Sequence, residues 1–405
     1  MNVAIMGYGV VGSGVAEVLR ENADSIKKRA LGKELHVKRI LDLRDFPGDV
    51  NEDKLTKEFN DILNDDSIEI VAETMGGVNP AFDFTMKLLC AGKSVVTSNK
   101  ELVAQKGLEL LKAADEHGVN YLFEASVGGG IPIIRPMAQC LTANKIEGVA
   151  GILNGTTNFI LTRMIEDNMS FDDALKLAQD NGYAEKDPTA DIEGHDACRK
   201  VCILASLAFG RHVFPNQVEC EGITKITLED VEYAAKIGGV IKLLGQIKAV
   251  SDDKICAFVS PAIVLKGSQL ANVDDVFNAI MVRGNAVGDV VFYGRGAGKL
   301  PTASAVVADI VDCSNHIGRR KNISWGEGSE NYVADHKAML ENAFYVRANA
   351  SEDEVKSIFG DVKFLERENK PSNEVAFVSP SMTENELDKK LADIDVIAKI
   401  RITEY

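Results

Sequence analysis

Residues 2–23 decide the fold, and they read NVAIMGYGVVGSGVAEVLRENA. The continuous apolar run at residues 3–5 is typical of a parallel strand that is covered on both faces. Gly7, Gly9 and Gly12 follow in the pattern GxGxxG, and the residues after them continue as a helix. A strand, a glycine turn and a helix in this order predict the first unit of an open α/β sheet.

The alternation of strand and helix continues to about residue 130. Strands are expected in LHVKRILDLRD, IEIVAETMGG, SVVTSNKE and NYLFEASVGGGIP, and helices in NPAFDFTMKLLCAGK and LVAQKGLELLKAADEHG. This pattern predicts an α/β protein with a Rossmann-type doubly wound parallel sheet. The dinucleotide-binding domain is therefore assigned to residues 1–130, completed by an apolar helix at about 296–320.

The remaining chain divides into three predicted segments. Residues 131–295 contain strands with Gly and Asn turns and predict an α+β mixed-sheet domain for substrate binding and dimerisation. Residues 321–339 show no apolar period and predict a linker. Residues 340–405 follow the order βαββαβ, which predicts a ferredoxin-like C-terminal domain.

Composition restricts the partners and the location of the protein. The chain has 405 residues and a formal net charge of -16, which argues against binding to nucleic acid or to an anionic membrane. Seven scattered cysteines without a CxxC motif indicate reduced thiols, and no apolar stretch reaches the length of a membrane span or a signal peptide. We therefore expect a cytoplasmic protein.

The glycine turn predicts dinucleotide binding, because the glycines let the backbone approach a pyrophosphate at a helix N-terminus. A glycine turn without a nucleotide is the alternative. The end of the second strand, ILDLRD, does not separate the two nicotinamide cofactors. Asp42 or Asp45 could accept hydrogen bonds from the ribose of NAD, whereas Arg44 could contact the 2′-phosphate of NADP, which is slightly favoured.

Two lysines could accept the hydroxyl proton that an alcohol dehydrogenase must remove. A lysine acts as a base when burial or a second cation lowers its pKa. Lys100 follows the strand SVVTSN at the carboxyl edge of the predicted sheet, where α/β sheets bind ligands. Lys200 stands four residues after Asp196 on one helix face. The simpler alternatives are a salt bridge between Lys200 and Asp196, and a surface position for Lys100.

Residues 178–200, AQDNGYAEKDPTADIEGHDACRK, closely resemble the signature of homoserine dehydrogenases. The segments VVTSNK, FEASVGGGIPII, GILNGTTNFIL and GRGAGKLPTASAV also resemble blocks of that family, in the same order, and the resemblance extends from residue 1 to about 320. It implies the NAD(P)-dependent interconversion of L-homoserine and L-aspartate 4-semialdehyde, a step towards threonine, methionine and isoleucine.

The resemblance also implies the roles of individual residues. Lys200 corresponds to the proton donor and acceptor, and Lys100 lies beside nicotinamide and substrate. The substrate contacts it implies are Glu185, Asp191, Asp196 and Thr156. The cofactor contacts are Gly7, Gly9, Val10, Val11, Gly12, Arg44, Gly76, Ser98, Lys100 and Gly298. A monovalent cation, usually sodium, is expected on the main-chain carbonyls of Glu124, Val127, Gly129 and Ile131.

The tail resembles an ACT-type regulatory domain, which in this family often senses threonine. Its turn RANASEDEV lacks the family's ligand-binding turn, so a module that only assists oligomerisation is the alternative. We expect a homodimer or a higher homo-oligomer that forms through the second domain. Two rival functions are a non-catalytic amino-acid sensor and a dehydrogenase of another amino acid, such as aspartate.

Overall fold

The structure is a computed structural model, and it describes residues 1–321, 323–403 and 405. The chain forms two compact units, each built from separate stretches of sequence. Unit 1 comprises Met1–Lys145, Cys202–Pro215 and Gly294–Ser329, and unit 2 comprises Ile146–Val201, Asn216–Tyr293 and Glu330–Tyr405. The domain boundaries expected from the sequence stay a prediction, and the tail falls within unit 2.

The strands are, in chain order, β1 (Asn2–Met6), β2 (His36–Leu41), β3 (Leu55–Thr56), β4 (Ile68–Glu73), β5 (Ser94–Thr97), β6 (Tyr121–Leu122), β7 (Ile146–Ile152), β8 (Glu219–Cys220), β9 (Gly239–Ser251), β10 (Lys254–Leu265), β11 (Phe277–Gly284), β12 (Gly288–Arg295), β13 (Glu341–Asn342), β14 (Phe344–Asn349), β15 (Lys363–Leu365), β16 (Glu374–Val378), β17 (Met382–Thr383) and β18 (Asp395–Thr403).

The α-helices are α1 (Val10–Glu21), α2 (Ala23–Arg29), α3 (Asn60–Leu63), α4 (Ala81–Cys90), α5 (Lys100–Glu116), α6 (Gly155–Glu166), α7 (Phe171–Asp180), α8 (Thr189–Ile192), α9 (His195–Phe209), α10 (Leu228–Ile237), α11 (Lys299–Asn315), α12 (His336–Met339), α13 (Glu352–Phe359) and α14 (Glu384–Lys390). Among the described residues, no helix has both the length and the apolar character needed to cross a bilayer.

Unit 1 contains a six-stranded sheet in the order β3-β2-β1-β4-β5-β6. All of its strand pairs are parallel, which confirms the predicted Rossmann-type sheet. Residues 3–6 of β1 are fully buried, as expected for a strand covered on both faces. The strand order reverses between β1 and β4, so the crevice beyond their carboxyl ends is the place where such sheets bind ligands.

Helix α11 packs against α1 in unit 1. A Cβ atom on Gly14 would lie 2.9 Å from the Lys299 carbonyl oxygen, so the two helices approach as closely as a glycine allows. The Lys299 ammonium also lies 2.6 Å from the Glu17 carboxylate. The apolar helix that follows residue 296 therefore covers the nucleotide-binding sheet.

Unit 2 contains a ten-stranded mixed sheet, which confirms the mixed-sheet prediction. Its order is β12-β11-β7-β9-β10-β18-β14-β16-β15, and β8 pairs with β10 off this path. Most of the pairs are antiparallel, but β10 pairs with β18 and with β8 in parallel. Ile152, Leu244, Val264 and Met281 belong to the buried core on this sheet.

The tail has the expected alternation of strands and helices, with the short strands β13 and β17 added. Its four main strands lie in the order β18-β14-β16-β15 and pair antiparallel. Because β18 also pairs with β10, the sheet of the tail continues the sheet of the rest of unit 2. This pairing covers a strand edge that would otherwise expose unpaired backbone groups.

The segment expected to be a linker is packed where it enters unit 1. Ile323 and Trp325 are buried, and the Trp325 indole N–H donates to Nδ1 of His212 over 2.9 Å. A Cβ atom on Gly107 would lie 2.8 Å from the Trp325 ring. Isolated buried side chains, including Tyr332 further along, anchor this segment, and isolated positions give no period that can be detected in the sequence.

Candidate active site

The glycine turn connects β1 to α1 in a conformation that side chains would block. Gly7 has a φ of +88°, and a Cβ atom on Gly12 would lie 1.9 Å from the Gly7 carbonyl oxygen. Helix α1 begins at Val10 directly after Gly9. The five predicted cofactor residues, 7 and 9–12, therefore lie in this turn and in the first turn of α1, whose N–H groups can bind an anion.

Arg44 lies beside this turn. Its Nε and Nη2 donate to the Asp42 carboxylate over 2.9 and 2.8 Å, and Nη2 would lie 3.8 Å from a Cβ atom on Gly9. Asp42 also accepts a hydrogen bond from the Tyr8 backbone, and Arg44 is the main cause that holds the pKa of the Asp42 carboxyl well below its usual range. Asp45 instead pairs with Lys57 and is exposed.

The loops that follow β4 and β5 carry the next group of predicted residues. Gly76 has a φ of +84°, and the Ser98 backbone donates to the Glu73 carbonyl over 3.3 Å. Lys100 is the first residue of α5, whose N-terminus is capped by Asn99 through a 3.1 Å bond from the Leu102 backbone. The partial positive charge of a helix N-terminus disfavours a neighbouring ammonium group.

The loop predicted to hold a monovalent cation is rich in glycine and tightly packed. Gly128 and Gly129 have φ values of +74° and +54°, and a Cβ atom on Gly129 would lie 2.4 Å from the Gly296 carbonyl oxygen. Unit 1 thereby brings this loop next to the segment that leads to Gly298, which has a φ of +126°. Val127 and Ile131, two further predicted ligands of the loop, are buried.

The Glu124 carboxylate is fully engaged in holding this loop. It accepts hydrogen bonds from the backbone N–H groups of Ile133, Ile134 and Arg135 over 2.6–2.9 Å. The Glu124 backbone in turn donates to the buried carboxylate of Asp309 over 2.8 Å. Glu124 can therefore offer a cation its main-chain carbonyl but not its carboxylate.

In unit 2, the turn between Asp196 and Lys200 on α9 forms a buried ion pair. The Lys200 Nζ lies 2.6 Å from Oδ2 of Asp196 and 2.6 Å from the Leu153 carbonyl oxygen. Only 7% of Lys200 and 4% of Asp196 is exposed to solvent. The i, i+4 spacing predicted this contact, and the burial sets it apart from an ordinary surface salt bridge.

Asn154 joins the predicted substrate residues, although the sequence did not predict this. Its Nδ2 donates to the carboxylates of Asp191 and Asp196 over 2.7 and 2.9 Å, so one amide joins two acids. Its Oδ1 accepts from the Thr157 backbone and caps α6. An Asn before Gly-Thr-Thr indicates such a cap, but no local signal indicates the two carboxylates.

The other predicted substrate residues lie in the same part of unit 2. Burial, followed by the nearby Asp196, raises the pKa of the Asp191 carboxyl. Thr156 is buried, its hydroxyl donates to the Tyr183 carbonyl over 2.7 Å, and it also contacts Asp191. Glu185 differs from these residues, because it is exposed in the loop between α7 and α8.

The structure therefore gathers the predicted residues into two groups. Unit 1 holds the cofactor residues, Lys100 and the glycine loop, and unit 2 holds Thr156, Asp191, Asp196 and Lys200. The approach of Lys100 and Lys200 to one substrate stays a prediction. A parallel sheet with a glycine turn, together with a buried lysine paired with Asp196, is the combination expected of a nicotinamide-dependent dehydrogenase.

Comparisons with known proteins identify the family. The model described as "Homoserine dehydrogenase, NAD binding domain" matches residues 7–124, and the model "Homoserine dehydrogenase" matches residues 132–311. The chain belongs to the homoserine dehydrogenase family. It is an NAD(P)-dependent oxidoreductase that acts on the CH–OH group, as the signature at residues 178–200 predicted.

Individual relatives agree with this assignment. The chain is 43% identical to the homoserine dehydrogenase of Synechocystis sp. over 318 residues, which cover 77% of this chain and 73% of that protein. Identity to the Bacillus subtilis enzyme is 42% over 320 residues, which cover 77% and 72%. Family membership favours a homoserine dehydrogenase over a non-catalytic amino-acid sensor and over a dehydrogenase of another amino acid.

Solved structures show the same fold. The crystal structure of a homoserine dehydrogenase from Thiobacillus denitrificans superposes with a TM-score of 0.89 at 37% identity and covers 100% of this chain and 98% of that one. A hyperthermophilic archaeal homoserine dehydrogenase in complex with NADPH has a TM-score of 0.66 at 28% identity and covers 77% and 97%.

Proposed function

We propose that Lys200 exchanges the proton with the substrate oxygen when L-homoserine and L-aspartate 4-semialdehyde are interconverted. The observation that carries this proposal is the buried Nζ, held at 2.6 Å by both Asp196 and the Leu153 carbonyl. A carboxylate at this distance favours the charged ammonium form. In the reductive direction, the ammonium group therefore donates a proton to the aldehyde oxygen.

The oxidative direction requires the opposite transfer. In that direction a neutral lysine takes the hydroxyl proton, and the neutral form is present once the ammonium group has lost its own proton. When bound, the reduced cofactor would supply hydride for reduction of the aldehyde, and the oxidised cofactor would accept hydride from the alcohol. Lys100, at the N-terminus of α5, is the proposed second lysine beside the substrate.

The polar cluster of unit 2 is the proposed substrate site. The carboxylates of Asp191 and Asp196 suit the α-ammonium group or orient Lys200, and the buried Thr156 hydroxyl adds a polar contact. Glu185 is the remaining proposed contact, and its exposed position leaves its carboxylate accessible to an incoming ammonium group. Glu185→Ala should raise the KM for homoserine, and an unchanged KM would remove Glu185 from the site.

The proposed dinucleotide site is the glycine turn, extended by Gly76, Ser98 and Gly298. Arg44 supports a preference for NADP, because it lies beside Gly9 with a largely exposed guanidinium. The archaeal relative in complex with NADPH agrees with this choice. Initial rates with NAD and NADP test it, and Arg44→Ala should reduce the preference for NADP.

The proposed cation site is the glycine loop with the carbonyls of Glu124, Val127, Gly129 and Ile131. Main-chain oxygens in irregular backbone are suitable hard ligands for sodium, and the tight packing around Gly129 keeps the loop in shape. A rise in melting temperature with sodium chloride, absent with choline chloride at equal ionic strength, would support the site.

The tail is proposed to be an ACT-like module, and the chain a cytoplasmic homodimer or higher homo-oligomer. The antiparallel order β18-β14-β16-β15 supports the module. Rates with and without threonine, together with the mass in solution by light scattering, distinguish an effector site from an aid to oligomerisation.

The role of Lys200 is tested by Lys200→Ala. We expect kcat to fall by ~10²–10⁴ while NADPH affinity changes little, because proton transfer is lost and the nucleotide site is kept. Lys242→Met is a matched control, since Lys242 is also buried in unit 2 but contacts Val273 and Asp274 instead. A Lys200→Ala variant that turns over at the wild-type rate would contradict the proposal.

A further inference from the structure

Glu73, the last residue of β4, is a fully buried acid with no role in the mechanism described above. None of its surface is exposed, and burial raises the pKa of its carboxyl. A buried carboxyl is costly unless hydrogen bonds compensate for the lost water. Its partners therefore indicate what this residue does.

The carboxyl holds two loops at once. Oε1 accepts a hydrogen bond from the Met75 backbone over 2.8 Å, and Oε2 accepts one from the Thr97 hydroxyl over 2.6 Å. The Gly76 backbone and the Asn99 side chain also hydrogen-bond to the carboxyl. One side chain thus joins the loop after β4 to the loop after β5.

The hydrogen bonds continue from Thr97 to the start of α5. The Asn99 backbone donates to the Thr97 hydroxyl over 2.9 Å, and the Asn99 Nδ2 donates to the Gly77 carbonyl over 2.6 Å. The Asn99 Oδ1 caps α5, whose first residue is Lys100. The position of Lys100 therefore depends on a chain of contacts that begins at Glu73.

We propose that Glu73 is a positioning residue that sets the geometry of the nicotinamide end of the cofactor site. The two loops that it joins carry Gly76, Ser98 and Lys100, and they lie at the carboxyl edge of the sheet where dinucleotides bind. This inference rests on the proposed cofactor contacts. It adds a residue that touches neither cofactor nor substrate but fixes the groups that do.

A matched control lies at the opposite edge of the same strand pair. Lys93, just before β5, is also buried, and its Nζ donates to the carbonyls of Asp65 and Ile68 over 2.7 and 2.9 Å. These contacts join the amino ends of β4 and β5. Lys93→Met therefore removes a comparable structural contact without touching the ligand edge.

The experiment measures the Kd for NADPH by fluorescence, kcat, both KM values and the melting temperature. Glu73→Gln should raise the Kd for NADPH roughly tenfold and lower kcat by a similar factor. The reason is that an amide NH₂ group, which donates, replaces one of the two carboxyl oxygens that accept hydrogen bonds from the loops. The KM for homoserine should stay within about twofold. Lys93→Met should lower the melting temperature and change neither Kd nor kcat by more than about twofold.

Two results would overturn the inference: a folded Glu73→Gln variant with wild-type Kd and kcat, or equal losses in Lys93→Met at an equal drop in melting temperature. Should Glu73→Gln not fold, Thr97→Val decides, and it should shift Kd and kcat in the same direction by a smaller factor. Gly76→Val separates the positioning role of Glu73 from the proposed contact between the Gly76 loop and the cofactor. Unchanged NADPH binding in that variant would refute the proposed loop contact itself, whatever Glu73 does.

Discussion

The nucleotide edge of unit 1, which is the glycine turn at residues 7–12, and the polar cluster of unit 2 are built on opposite principles. The first consists of backbone that comes so close to other backbone that Gly7 and Gly12 leave no room for a Cβ atom. The second consists of the side chains of Asn154, Asp196 and Lys200, which contact one another in a buried space. One region depends on the absence of side chains, and the other depends on their charges.

This difference predicts how each region responds to change. A backbone site offers partial charges from N–H groups at helix N-termini, so added volume should damage it more than altered charge. A site of full charges in a buried space should tolerate small changes of volume but not a change of charge.

Gly12→Val should have the largest effect. The new side chain would overlap the Gly7 carbonyl and the Thr74 hydroxyl, and we expect NADPH affinity to fall by more than about 1000-fold. Fluorescence titration measures this loss. Gly267→Ala is the control, because nothing lies within 4 Å of a Cβ atom there. Retained NADPH binding in Gly12→Val would break the contrast between the two regions.

Arg347→Met tests whether the tail stabilises unit 2 through buried charge. The Arg347 guanidinium lies 3.1 Å from Asp230 and 3.5 Å from Glu374, all of them buried. Removing it leaves two buried carboxylates with less compensation, which should cost about 3 kcal/mol of unfolding free energy. Chemical denaturation measures this loss, and NADPH affinity should stay unchanged. Weaker NADPH binding would show that the tail also supports the nucleotide edge.

Asn154→Asp alters charge at nearly constant volume. Aspartate caps a helix as well as asparagine does, so α6 should stay intact. The variant loses both donors to Asp191 and Asp196 and adds a negative charge, and we expect kcat to fall by about 30-fold.

Asn154→Ser is the matched comparison, because serine keeps the cap but adds no charge. It should lose less activity than Asn154→Asp, and its pH–kcat profile should shift less. An equal loss in the two variants would mean that the missing amide hydrogen bonds to Asp191 and Asp196, not the added charge, reduce kcat.

Asp309 should make the stability of unit 1 depend on pH. Burial raises the pKa of its carboxyl to about 7. The positive charge of Arg135 lowers this pKa, whereas the negative charges of Glu124 and Asp312 raise it further. A raised carboxyl pKa contributes stability that is fully present below about pH 4 and is lost as the pH rises through about 7.

The melting temperature of Asp309→Asn relative to wild type should therefore rise by about 5 °C between pH 5 and pH 8. Asp24→Asn, an exposed position of unit 1, is the control and should show a flat difference. A flat difference for Asp309→Asn as well would mean that the Asp309 carboxyl is already ionised at pH 5.

Much of this protein could be predicted from short stretches of sequence. The apolar run at residues 3–5 and the glycines after it predict β1 and α1, because strand and helix periods depend on neighbouring residues only. The pairing of Asp196 with Lys200 follows in the same way from one helical turn. The signature at residues 178–200 indicates the family and its reaction, although the roles of single residues stay proposals.

Only the tertiary structure decided which distant groups meet. Asn154 reaches Asp191 and Asp196 across 37 and 42 residues of chain, and Glu73 reaches Thr97 across 24. The joining of the tail to β10 likewise depends on strands far apart in sequence. A local pattern records what one element prefers by itself, whereas these contacts depend on how several elements pack, and no short stretch of sequence contains that information.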